Sequence, residues 1–164
     1  MNNRVLILGS SGLIGHQVYN HFKVNSDYSL SNISYRRKLN NETILLDVRN
    51  EQNFLDQIKR IQPNYIVNCI GVLISGAKQD SESAMFINAH LPHTLVKLAD
   101  KIQAKLIHIS TDCVFSGNKK SPYLETDERD GEGVYAKTKA LGEVISENHL
   151  TIRTSVVGPE IING

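Results

Sequence analysis

The sequence predicts an α/β fold arranged as a doubly wound parallel sheet, and three observations carry that expectation. Short, largely apolar runs recur at residues 4–8, 33–36, 65–70, 105–110 and 151–157; such runs suit strands buried on both faces. Longer amphipathic stretches lie between them, at residues 13–22, 51–61, 83–101 and 135–148, and suit the helical crossovers that parallel strands need. A glycine-rich segment, Gly9-Ser10-Ser11-Gly12-Leu13-Ile14-Gly15, follows the first run directly and opens the first amphipathic stretch.

Taken in order, each element has a local reason. The first strand is the unbroken Val5-Leu6-Ile7-Leu8, and the first helix begins where the glycines end. The second strand stops in the basic string Arg36-Arg37-Lys38, and a further apolar run at 43–46 ends at Asp47-Val48. Pro63 separates the second helix from the strand at 65–70, because proline cannot continue a helix. Residues 117–133, rich in charge and glycine and holding Pro122, form one long loop rather than a domain boundary.

Composition narrows the function classes. A chain of 164 residues, 40% hydrophobic, can bury one sizeable core, so a single domain over residues 1–164 is expected. A formal net charge of +1 leaves no broad basic field to grip nucleic acid or an anionic membrane. No apolar run approaches the roughly 18 residues that span a bilayer, and residues 1–4 enter the first strand without the features of a signal peptide. A cytoplasmic protein with a small-molecule partner is expected. The two cysteines, Cys69 and Cys113, lack metal-type or redox-type spacing, so buried thiols and no metal site are expected.

The glycine segment suits a phosphate. Glycine permits a tight turn and close backbone approach, while free amides and the positive end of a helix dipole compensate the charge. The spacing is Gly-x-x-Gly-x-x-Gly, a variant of the common dinucleotide fingerprint. Gly9, Ser11, Gly12, Leu13, Ile14 and Gly15 are the candidate contacts. An NAD site would place an acidic residue after the second strand; here stand Arg36 and Arg37, whose guanidiniums suit a 2′-phosphate. NADP(H) is therefore favoured, with NAD(H) as the alternative. Asp47 can accept from an adenine amino group or cap a turn.

Tyr135 and Lys139 stand four residues apart, on one face if the segment is helical. A lysine cation near a tyrosine stabilises its phenolate and brings proton transfer within reach of neutral pH. Tyr135 can then protonate the alkoxide that forms when hydride reaches a carbonyl. Ser110-Thr111-Asp112 ends the strand at 105–110, where sheets of this type present functional residues, and Thr111 can donate to the substrate oxygen.

These residues resemble the extended short-chain dehydrogenase/reductase family, whose cofactor domain is a Rossmann fold. The glycine turn, Asn68-Cys69-Ile70-Gly71, Ser110-Thr111-Asp112, and Tyr135 with Lys139 fall in family order. The string Ile109-Ser110-Thr111-Asp112-Cys113-Val114-Phe115-Ser116-Gly117, with Tyr123, Glu125, Asp127 and Gly142-Glu143, is similar to the dTDP-4-dehydrorhamnose reductase branch. The resemblance implies Thr111, Tyr135 and Lys139 as catalytic residues, and Thr111, Asp112 and Cys113 on the substrate side. It implies Asp47 and Val48 beside adenine; Cys69, Ile70, Gly71 and Ser110 along the cofactor, with Gly71 by the nicotinamide-side ribose; and a structural role for Asn88.

The implied reaction is NADP(H)-dependent reduction of the 4-keto group of a nucleotide-linked deoxysugar, supplying cell-surface polysaccharide precursors. Many rhamnose-pathway reductases carry tyrosine where this chain has Cys113, which leaves the sugar and nucleotide open. Dehydratases of the family place glutamate there, which ranks dehydration below reduction. An NAD-dependent epimerase and a non-catalytic NADP(H)-binding regulatory subunit remain as alternatives, and a homodimer stays open. The family continues past the sixth strand into a smaller substrate-binding region, so a chain stopping before most of that region is expected.

Overall fold

The computed structural model describes residues 3–156 and residue 158. Six parallel strands form one sheet: β1 Arg4–Leu8, β2 Ser29–Ser34, β3 Ile44–Leu45, β4 Tyr65–Asn68, β5 Lys105–Ile109 and β6 Leu150–Ile152. Their order is β3-β2-β1-β4-β5-β6, so the chain winds outward in one direction from β1 and then in the other from β4. That is the doubly wound arrangement, with its switch point between β1 and β4, where open α/β sheets bind ligands.

Helices cover both faces. α1, Leu13–Asn25, seats Tyr19 and Phe22 against Val5, Ile7 and Val67. α2, Glu51–Ile61, and α5, Leu91–Lys101, bury Phe54, Ile58, Leu91, Leu95 and Leu98 against Leu6, Leu8, Ile66 and Leu106 on the opposite face. Alternate residues of each strand feed the two cores, as the period of a strand requires. Among the described residues, no helix is long and apolar enough to cross a membrane.

Several boundaries differ from the sequence reading. β2 lies at Ser29–Ser34 rather than 33–36. Its buried Asn32 and Ser34 are polar because they face the glycine turn: Ser10 Oγ donates to Asn32 Oδ1 at 2.8 Å, and Ser11 and Ser34 share a hydroxyl hydrogen bond. The helix read as one piece from 83 comprises α4, Ser81–Ala84, a π-helical turn at Met85–His90, and α5. A short α3, Ile74–Gln79, precedes it. α6 spans Gly133–Leu141 and stops well before 148, since Gly142 lies so close to the Asn88 carbonyl that any side chain would overlap it. β6 occupies Leu150–Ile152; position 157 of the expected strand lies outside the described residues.

Candidate functional site

The glycine turn sits at the switch point. Gly9 has φ +75, a conformation glycine adopts without strain, and a Cβ there would lie 3.1 Å from the Cys69 backbone of the neighbouring strand end. A Cβ on Gly15 would overlap the Gly9 carbonyl oxygen and lie 2.8 Å from its carbon. Gly15 is thus a buried packing position that lets α1 approach the turn, and it lines no groove at the site, which differs from its expected role as a cofactor contact. α1 begins at Gly12 with no side-chain cap, leaving first-turn amides and the positive dipole end directed at whatever occupies the turn.

Two grooves meet there, sharing Gly12, Cys69, Ile70 and Gly71. One, of about 580 Å³, runs past Gly9 and Ser11 to Arg36, Arg37, Asp47 and Val48. The other, of about 680 Å³, runs past Leu13 and Ile14 to Ser110, Thr111, Asp112, Cys113, Tyr135 and Lys139. The fold therefore gathers every sequence-predicted site residue except Gly15 along one continuous path. Its two chemically distinct ends, with the turn between them, suit a dinucleotide.

At the basic end the sequence missed Arg49. Its guanidinium donates to both Asp47 carboxylate oxygens, at 3.0 and 2.8 Å, and to the Tyr35 hydroxyl at 3.0 Å. Asp47 also accepts from the Arg49 amide, and the Arg49 bonds hold its carboxyl below the usual range. Its side chain thus serves a local turn while still lining the groove. Arg36 and Arg49 flank the Tyr35 ring, 5.2 and 5.4 Å from its centre. No sequence spacing pairs Tyr35 with Arg49; only the fold does.

At the other end, Thr111 caps the short 3₁₀ turn Asp112–Val114 by accepting from the Cys113 amide at 3.2 Å. Its hydroxyl donates to Asp112 Oδ1 at 3.2 Å and lies beside the half-buried Tyr135 phenol. Burial is the largest influence on Tyr135 and raises its pKa, with Thr111 acting the other way. Lys139 is 4% exposed and donates to the Ile109 carbonyl at 2.8 Å; burial lowers its pKa to about 8. The expectation that Lys139 lowers the Tyr135 pKa is not met in this arrangement, because the ammonium is committed to Ile109 while the phenol is governed by burial.

The thiols differ from one another. Cys69 is half-buried along both grooves, and desolvation pushes its pKa up to about 12, which keeps it a neutral thiol near pH 7. Cys113 is exposed and lines the groove beside Tyr135, contrary to the expectation of two buried thiols, because it lies in the 3₁₀ turn that follows β5. Asn88 Oδ1 accepts from Val72 N at 2.8 Å, and Nδ2 donates to Val72 O and Thr138 Oγ1. These bonds tie the π-helical turn to α6 and to the segment after Gly71. Ser110 Oγ donates to a buried carboxylate, Glu143, at 2.8 Å.

A family model for the RmlD substrate binding domain matches residues 3–160. The dTDP-4-dehydrorhamnose reductase of Escherichia coli (strain K12) is 36% identical over 116 residues, covering 68% of this chain and 39% of that protein. Methionine adenosyltransferase 2 subunit beta of Danio rerio is 37% identical over 147 residues, covering 85% of this chain and 42% of that protein. The structure of a dTDP-4-dehydrorhamnose reductase from Bacillus anthracis in complex with NADP superposes with a TM-score of 0.80 at 25% identity, covering 93% of this chain and 53% of that one. The chain thus spans roughly two fifths of the length of these curated relatives. Across almost its whole length, the protein belongs to the RmlD substrate-binding-domain family.

Proposed function

We propose that this chain is the cofactor-binding and proton-transfer part of an NADP(H)-dependent reductase acting on the 4-keto group of a nucleotide-linked deoxysugar. It would work in the cytoplasm, supplying precursors of cell-surface polysaccharide. The observation that carries the reading is the convergence of Thr111, Tyr135 and Lys139 in one groove opposite the glycine turn. NADPH, when bound, supplies a hydride to the carbonyl carbon. The chain's own residues do the rest. Tyr135 donates its phenolic proton to the carbonyl oxygen as that oxygen gains negative charge, and Thr111 orients the same oxygen through its hydroxyl. Lys139 contributes a cation beside the cofactor ribose.

The fit of this cofactor rests on the uncapped start of α1, the close backbone approach at Gly9, and the exposed Arg36 and Arg37 at the far end of the groove. The NADP named with the Bacillus anthracis relative supports the same reading. A second reading, a regulatory subunit that binds NADP(H) without turnover, is kept because one relative, methionine adenosyltransferase 2 subunit beta, is by name a subunit of a larger assembly. An NAD-dependent epimerase is disfavoured by Arg36 and Arg37.

Calorimetric titration with NADPH and NADH, followed by assay of NADPH oxidation with 4-keto sugar nucleotides, separates these readings. Tighter binding of NADPH with turnover supports the reductase. Tighter binding without turnover supports the regulatory subunit, and binding of neither defeats both.

A further inference from the structure

Glu143 is 6% exposed and lies outside both grooves, yet it holds four charge-assisted bonds. Ser110 Oγ donates to its Oε1 at 2.8 Å; Arg153 donates through Nε to Oε1 and through Nη2 to Oε2, each at 2.7 Å; Arg129 Nη1 donates to Oε2 at 3.2 Å. Burial alone would raise its pKa, but the bonds from Arg153, Ser110 and Arg129 outweigh burial and hold it low. A buried, ionised carboxylate is costly unless its partners are complete, so this arrangement ties several segments together.

The ties lead in two directions. Lys139 lies four residues before Glu143, and it bonds the Ile109 carbonyl while Glu143 bonds the next residue, Ser110. Two consecutive residues at the end of β5 are therefore fastened by two oppositely charged side chains. In the other direction Arg153 donates to the Glu125 carbonyl at 3.1 Å and lies 4.8 Å above the Phe115 ring, which stacks on Tyr123 at 4.4 Å. Arg129 also bonds the Ala140 carbonyl. Phe115 and Ser116 wall a further cavity of about 640 Å³ that Tyr135 also lines.

We propose that Glu143 is the positioning residue that holds Lys139 and the 115–132 loop to one strand end, setting the two sides of Tyr135 together. The inference rests on the reading of Lys139 as a cofactor-side cation. Among the titratable groups that face Lys139, the Cys69 thiol from the end of β4 and the His108 imidazole from β5 are both neutral near pH 7. Tyr135 on its own helix is a protonated phenol, and Asp112, the carboxylate lining the groove, acts on Tyr135. Glu143 is the anion that supports the ammonium, while Arg129 and Arg153 compete for it.

Glu143→Gln tests this in the full chain, because it keeps the shape and one acceptor while removing the charge. The readouts are NADPH affinity, trypsin cleavage of the 115–132 loop at Lys119 and Lys120, and the NMR titration of the Lys139 side chain. NADPH affinity is expected to fall about tenfold. Loop cleavage should accelerate, and the Lys139 midpoint should drop below its value of about 8, with partial recovery in Glu143→Asp. Faster cleavage with an unmoved Lys139 midpoint, or a moved midpoint with an unaltered loop, overturns the coupling.

Should Glu143→Gln fail to fold, Arg129→Gln gives the opposite sign. Loss of a competing cation should raise the Lys139 midpoint while the loop loosens, and an unmoved midpoint refutes the proposal. Wild-type protein that binds no NADPH would defeat the cofactor reading, while the Lys139 titration and the cleavage rates would still judge Glu143.

Discussion

Lys139 Nζ donates to the carbonyl oxygen of Ile109 at 2.8 Å, which fixes a buried cation at the end of β5, two residues before Thr111. The position costs stability. An unfolded lysine titrates near 10.5 and this one near 8, so between those values the unfolded chain binds more protons and stability rises with pH. The full penalty, roughly 3 kcal/mol for such a shift, applies below pH 8. Lys139→Met should therefore be more stable than wild type near neutral pH by about 1–3 kcal/mol, with the difference fading between pH 8 and 10.5. Urea melts of both proteins at several pH values check it. A variant less stable at neutral pH would mean that the Ile109 bond outweighs the burial.

Tyr135→Phe removes one hydroxyl and leaves the ring in place. Because burial keeps the phenol protonated well beyond neutral pH, it is poised as an acid, and its loss should slow turnover by about 10²- to 10⁴-fold with NADPH affinity unchanged. The alkaline limb of the wild-type rate should follow Lys139 near pH 8. Stopped-flow oxidation of NADPH by a 4-keto sugar nucleotide decides between this and a protein in which the change has no effect on rate.

What the sequence made legible was local. Gly9 to Gly15 announce their turn because strand, glycines and helix are contiguous, and Tyr135 and Lys139 announce a face because their spacing is that of a helix. β2 was read too late along the chain because its buried Asn32 and Ser34 are polar, and their partners Ser10 and Ser11 lie 22 and 23 residues away. α6 was read too long because Val144 and Ile145 continue its apolar pattern, whereas Gly142 meets Asn88 and ends it. Glu143 with Arg129 and Arg153, and Tyr35 with Arg49, join residues with no shared period. Such pairs exist only once the sheet has assembled.

Arg36 and Arg37 stand exposed at the far end of the groove, where charge-assisted bonds to an extra phosphate are worth about 1.5–3 kcal/mol each. The double replacement Arg36→Ala with Arg37→Ala should weaken NADPH roughly 10²- to 10⁴-fold and leave NADH within about threefold. Equal losses for both cofactors in calorimetry would remove these arginines from any role in choosing between them.

Gly15→Ala probes packing rather than contact. The added methyl would meet the Gly9 carbonyl backbone, which cannot move aside as a flexible side chain could. The turn and α1 must separate, costing roughly 1–3 kcal/mol of stability and displacing Gly12 from the groove. Thermal melting and NADPH titration should both register the loss; retention of full affinity would show that the turn tolerates a shifted helix.

His108 gives the acid limit. Asn68 Oδ1 accepts from the Ile70 amide at 3.1 Å, so its amide nitrogen faces His108 Nδ1, also at 3.1 Å. Nδ1 is therefore an acceptor and the ring proton resides on Nε2, which is buried and has no hydrogen-bond partner among the described residues. Burial first, then the charges of Lys139 and His93, lower the pKa from 6.5 to about 3. Between those values the unfolded chain takes up a proton that the folded chain refuses, so stability is lost as the pH drops, by up to about 1.4 kcal/mol per unit. His108→Leu removes that proton from the balance. Its stability near neutral pH should be lower, because Asn68 loses an acceptor, yet its decline below pH 6.5 should be shallower by one proton. Parallel decline of wild type and variant in acid would mean that His108 is protonated in the folded protein and that its pairing with Asn68 is not kept.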